Sequence, residues 1–227
     1  MTRSRPGPNA PAARHVPRAL RWCPRSRPGV VRSALLFALL LSASFSIAAA
    51  QEEDRRQQRP SKVRVDVPPD RVRVDDGDTV TIQWEDGDVE TVRILGIDTP
   101  ETQHVEHNIP LDQSFGRQAA SFAWGAFAAA SRVEILRADM MDRYGRTLAY
   151  LFVNGKNYSE LIVRARLAAE SVSHFGDNGF PEEAQVVLQA ARAAGPIRFE
   201  PPYLFRRRMR DVSNWMREHG ELPAEDN

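Results

Sequence analysis

Apolar and polar residues alternate strictly in two short runs, "KVRVDV" from Lys62 to Val67 and "RVRV" from Arg71 to Val74. A period of two marks half-buried strands. Pro68 and Pro69 separate the runs, and neither can donate to a strand ladder. "TVTIQW" (79–84) and "VETVRILGI" (89–97) flank the turn signal Glu85-Asp86-Gly87-Asp88, which predicts an antiparallel hairpin. The pattern then changes. "SFGRQAASFAWGAFAAA" (114–130) is alanine-rich and long enough for a helix. "RVEIL" (132–136) and "RTLAYLFV" (146–153) read as strands, and Asn154-Gly155 as a tight turn. Ser159 is placed to cap a second helix over 160–170. Pro181 and Gly195 bracket a third. Five or so short strands with helices between them predict a small, partly open barrel with helices packed on it.

Charge adds an asymmetry. Residues 1–50 hold eight arginines and no acid, leaving 23 basic against 30 acidic residues over 51–227, a net −7. Of the 31 basic residues only Lys62 and Lys156 are lysine. Composition bias accounts for that, although arginine also grips phosphate with two prongs where lysine cannot.

Ser33 to Ala50, "SALLFALLLSASFSIAAA", follows the basic segment and ends in small residues. It predicts a secretory signal cleaved after Ala50 and a secreted (extracellular or periplasmic) protein. Its apolar core is short for a membrane span, which needs about 20 residues; an uncleaved anchor is the alternative. The long basic part also leaves room for a later start near Val30 or Val31. Cys23 is the single cysteine and lies in the removed part, so the mature chain would have no disulfide framework, thiol catalysis or cysteine-bound zinc. The expected organisation is a signal over 1–50, a disordered linker over 51–61, a domain over 62–195 and an extension over 196–227. The extension reads as a basic helix with an acidic end.

The candidate chemistry gathers near the hairpin. "RILGIDTPE" (93–101) ends an apolar run in a turn that Pro100 restrains, leaving Asp98, Thr99 and Glu101 together. "VDDGDTV" places Asp75, Asp76 and Asp78 before the preceding strand. If the chain folds back near Asp88, Asp78 and Asp98 lie at the same end of the hairpin. Paired carboxylates with nearby carbonyls suit an oxygen-seeking cation such as calcium. Asp76-Gly77-Asp78 by itself also fits an ordinary turn. Arg93 and Arg146, the latter from "DRYGRTLAY" (142–150), would add guanidiniums beside the carboxylates and make a phosphate site. Arg93 equally fits a snorkelling edge residue. Arg93 and Asp98 are five apart, so alternation points them to opposite faces unless Asp98 lies beyond the strand or a bulge near Gly96 resets the phase.

Together, "DGDTV", "RILGIDTPETxH" and "DRYGRxLAY" resemble the thermonuclease (staphylococcal nuclease-like) family from about Arg71 to Gly195. The resemblance implies an α+β fold: a five-stranded OB-fold-type β-barrel with three packed α-helices. It implies calcium-dependent cleavage of DNA and RNA to products with 3′-phosphates, by a monomer with no stable protein partner. By position, Asp78 and Asp98 match the calcium carboxylates, and Thr99 the residue giving a backbone carbonyl. Glu101 matches the general base, Arg93 and Arg146 the transition-state arginines, Tyr144 a phosphate-binding tyrosine and Asp76 a carboxylate behind the metal. Where the best-known member packs tyrosines on the base, this chain has "ESVSHFGDN", with His174 and Phe175 as the candidate substitutes.

Other features carry blander readings. His104 and His107 have metal-like spacing but no third ligand nearby in the sequence. Phe115, Phe122, Trp124 and Phe127 read as helix core. Arg206, Arg207, Arg208 and Arg210 read as a solvated helix face, or as a track for a nucleic-acid backbone. Two other functions compete with an enzyme: a non-catalytic OB-type nucleic-acid-binding module, and a surface protein using calcium for stability alone.

Overall fold

The computed structural model describes residues 55–223; the expected signal segment and the first residues of the linker lie outside them. Strands β1 (Arg64–Val67), β2 (Val72–Val74), β3 (Thr79–Gln83), β4 (Val89–Ile94), β6 (Val133–Met141) and β7 (Thr147–Val153) form one sheet in the order β1-β6-β7-β4-β3-β2. The two-residue strand β8 (Lys156–Asn157) extends it from β7. The two ends of this order are β1 and β2, and only the 3₁₀ turn around Pro69–Arg71 separates them in sequence. They are two halves of one strand, broken by the proline pair, and one half pairs at each edge. The sheet therefore curls into the OB-type barrel, and five strands become six by that break. Val80, Ile82, Val92, Ile94, Ile135 and Leu151 fill the interior, each at most 2% exposed.

The helices are α1 (Gly116–Ala128), α2 (Tyr158–Arg164), α3 (Val172–Phe175), α4 (Pro181–Ala194) and α5 (Pro202–Glu218). α1, α2 and α4 are the three expected, and α5 is the basic helix of the extension. α2 is shorter than its sequence predicts. Asn157, not Ser159, caps it, accepting from the Ser159 amide. It ends at Arg164, and Arg166 turns the chain with φ +59. Ala169–Glu170 then form β9, antiparallel to β5 (Ile97–Asp98). The backbone of the "GID" turn needed hydrogen-bond partners, and this segment supplies them at the expense of more helix. Trp124, expected in the core, is 67% exposed, whereas Phe127 on the same helix is buried.

The part of the expected linker that is described is not loose. Arg56 bridges to Met140, and the Gln57 amide donates to the Asp139 carbonyl at 2.9 Å. Arg59 pairs with Asp88 and Glu90. The free edge of β6 beyond its bulge near Arg137–Met141 offers unpaired backbone groups, and the linker satisfies them.

Candidate active site on the barrel rim

The hairpin folds two residues earlier than the sequence suggests. Thr79 pairs with Arg93 and Gln83 with Val89, so the turn centres on Asp86. Asp78 lies opposite Ile94, whose amide donates to its carbonyl at 2.8 Å. Asp98 returns to the same rim by another route. β4 stops at Ile94, Gly96 reverses the chain with φ +81, and β5 begins at Ile97. This turn resolves the phase conflict between Arg93 and Asp98.

The acids are then held tightly. Asp78 Oδ2 accepts from the Thr99 amide at 2.7 Å, and Asp76 Oδ1 accepts from the Asp78 amide at 2.8 Å. Asp78 and Thr99 are 3% exposed and Asp98 8%. Two bonds from the start of α2 fix the turns beneath them. Tyr158 Oη donates to the Gly77 carbonyl at 2.8 Å, and Ser159 Oγ donates to the Leu95 carbonyl at 2.7 Å. Gly77 has no alternative residue: a Cβ there would lie 2.8 Å from Thr99 Cγ2 and 2.9 Å from Ala119 Cβ.

Arg93 ties the two acids together. Its Nη1 pairs with Asp78 Oδ1, and its Nη2 lies 3.1 Å from Asp98 Oδ1. Burial strips water from this guanidinium and lowers its pKa, opposed by Asp98 and Asp76. Burial likewise raises Asp76 and Glu101, opposed chiefly by Arg93 at the first and by Arg206 at the second. Glu101 is set by its backbone: its amide donates to Gln113 Oε1 at 3.1 Å, and its carbonyl accepts from the Gln113 amide at 2.9 Å.

Arg146 stands nearby without touching the acids. Asp142 holds it: Oδ2 accepts from Arg146 Nε at 2.7 Å, and Oδ1 accepts from the Arg146 and Tyr144 amides. Its charge is among those that depress the Arg93 guanidinium. Tyr144 projects from this turn, 68% exposed, with the Arg146 guanidinium 5.6 Å from its ring centre. His174 and Phe175 lie on α3, exposed and edge to face at 4.5 Å.

One arginine that the sequence reads as part of a solvated helix face, or of a nucleic-acid track, stands on the rim instead. Arg206 on α5 reaches Asp98 with both prongs, Nη1 to Oδ1 at 2.9 Å and Nη2 to Oδ2 at 3.0 Å, and Nη1 also pairs with Glu101. These ion pairs outweigh burial and raise its pKa. A signal existed: Pro202, Phe205, Met209 and Ser213 form a buried stripe at helical spacing, and position 206 borders it. His104, Glu106 and His107 also converge, each with a donor atom within 4.8 Å of the others, so Glu106, which stands between the two histidines in the chain, is a third group that the sequence reading passed over. A surface hollow of about 740 Å³ beside the start of α1 is lined by none of Asp76, Asp78, Asp98 or Glu101.

Two buried carboxylates and the Thr99 backbone offer only oxygen donors, the set that suits calcium. That set already carries cationic side chains on its oxygens, which marks it as a place that needs positive charge. Acids and guanidiniums on one rim of an OB-type barrel can together hold a cation and a phosphate. Residues 91–195 match the family model described as "Staphylococcal nuclease homologue". The thermonuclease of Staphylococcus hyicus is 37% identical over 98 residues, 43% of this chain and 55% of that protein. The thermonuclease of Staphylococcus intermedius is 39% identical over 97 residues, 42% of this chain and 55% of that one. The SPbeta prophage-derived endonuclease YokF of Bacillus subtilis (strain 168) is 37% identical over 108 residues, 47% of this chain and 34% of that protein. Over residues 91–195 the chain is therefore similar to the staphylococcal nuclease-like family. It spans about half the length of the two thermonucleases and about a third of YokF.

Proposed function

We propose that this protein is a secreted, calcium-dependent nuclease that hydrolyses phosphodiester bonds of DNA and RNA. The observation that carries the reading is the convergence of three acids on one rim, Asp78 and Asp98 on Arg93, and Asp98 and Glu101 on Arg206. Relatives named thermonuclease and endonuclease support it. Asp78, Asp98 and the Thr99 carbonyl would hold the cation, with Asp76 behind them, and a calcium ion held there would supply Lewis-acid polarisation of a phosphoryl oxygen. Glu101 accepts the proton of the attacking water. Arg93 and Arg146 neutralise the charge that builds on the phosphoryl oxygens, and Tyr144 contacts a phosphate from the adjoining turn. A binding module without chemistry has no use for Glu101, and a purely structural calcium site has none for the arginines. Plasmid DNA and total RNA, each incubated with the protein and calcium beside a chelated control, test the reading. Degradation only with calcium is expected; intact nucleic acid in both arms overturns it.

A further inference from the structure

Arg206 stands on both groups that the proposed chemistry must use. Its fork covers both oxygens of Asp98 and reaches Glu101, so one side chain engages a cation ligand and the general base together. A guanidinium and a divalent ion repel one another across a few ångströms of half-buried space. Glu101 likewise gives up basicity while it is paired with a cation.

The helix that carries Arg206 is attached separately from the barrel. Phe205 and Met209 bury against Ile109, with Val212 beside them, as a cluster distinct from the main core. The polar ties run to the same loop: Gln113 Nε2 donates to the Glu200 carbonyl, and Asn108 Oδ1 accepts from Ser213 and Arg217. A segment resting on a satellite cluster can open without exposing the barrel interior. Within the basic run Arg206 is aimed inward, whereas Arg207 and Arg210 are exposed and Arg208 pairs with Glu200.

We propose that α5 is a latch on the active site: Arg206 and a divalent cation compete for Asp98, and cation binding displaces α5 from the rim. Opening then exposes Glu101. The proposal rests on the reading of Asp98 as a cation ligand.

Calorimetric titration of calcium into the nucleic-acid-free full chain tests it, with D98N, R206A, R206Q and R210A compared and folding checked by thermal melting. Competition across the site is expected to tighten calcium binding in R206A and R206Q by about 5- to 150-fold. R210A removes the same charge from an exposed position and is expected to match the wild type. In wild type, calcium should speed amide exchange over 202–218. Unchanged or weaker affinity in both Arg206 variants overturns the latch, as does an equal shift in R210A or exchange that calcium leaves unaltered. D98N separates the two readings: lost binding there upholds the ligand assignment whatever Arg206 does, and wild-type binding removes that assignment and the latch with it.

Discussion

Gly116, the first residue of α1, lies directly beneath Glu101: a Cβ built on it would come 2.1 Å from the Glu101 carbonyl oxygen and 2.7 Å from the carbonyl carbon. Nothing at that contact can swing away, because it is backbone. The helix start and the loop carrying the proposed base are thus fitted to each other through the absence of a side chain. Gly116→Ala should displace Glu101, cost about 1–3 kcal/mol as an overpacked contact, and lower turnover. Thermal melting and nuclease rates check both effects; an unaltered variant would mean that the loop has slack.

Glu101→Gln keeps the shape of the side chain and removes its capacity to take a proton. Turnover should fall by about 10²- to 10⁴-fold, with the melting temperature close to wild type. A variant that retains full activity would take Glu101 out of the mechanism.

Tyr158 supplies the only hydroxyl seen on the Gly77 carbonyl among the described residues. Tyr158→Phe should cost about 0.5–1.5 kcal/mol and loosen the turn that delivers Asp78. Calcium affinity should therefore weaken more than the stability loss alone would suggest. Equal affinity in the two proteins would show that the Thr99 amide suffices to place Asp78.

Glu90 and Arg137 form a buried, two-pronged pair at 2.7 and 2.8 Å, and Glu90 accepts in addition from Thr147 and Trp84. Burial by itself would push the Glu90 carboxyl up, but Arg137 and Thr147 outweigh it and hold it below the ordinary range. The pair's contribution is therefore complete above the ordinary carboxylate pKa and is lost as pH falls through the depressed folded value. Glu90→Ala should cost about 3–5 kcal/mol at neutral pH by stranding Arg137. Its stability should also depend less on pH below about 4 than that of the wild type. Urea unfolding across pH 3–7 reads both quantities.

Alternation and turn residues were enough to place β1 to β4, β7 and the first half of β6, because a strand with one buried face must repeat every second residue whatever packs against it. Asp-Gly-Asp and Ile-Asp-Thr-Pro-Glu marked carboxylate-bearing turns for the same local reason: proline and glycine fix a backbone that holds polar side chains. Local rules could not foresee the break that splits one strand between two sheet edges, the strand Ala169–Glu170 taken from the end of a helix, or the turn at Gly96 that returns Asp98 to Arg93. Each answers a demand for backbone hydrogen bonds made by a distant segment. Arg206 shows the limit most clearly. Its neighbours in the run "RRRMR" carry the same charge, and only the docking of Phe205 and Met209 on Ile109 selects which guanidinium meets Asp98, since 108 residues separate that pair in the chain and only packing brings them together.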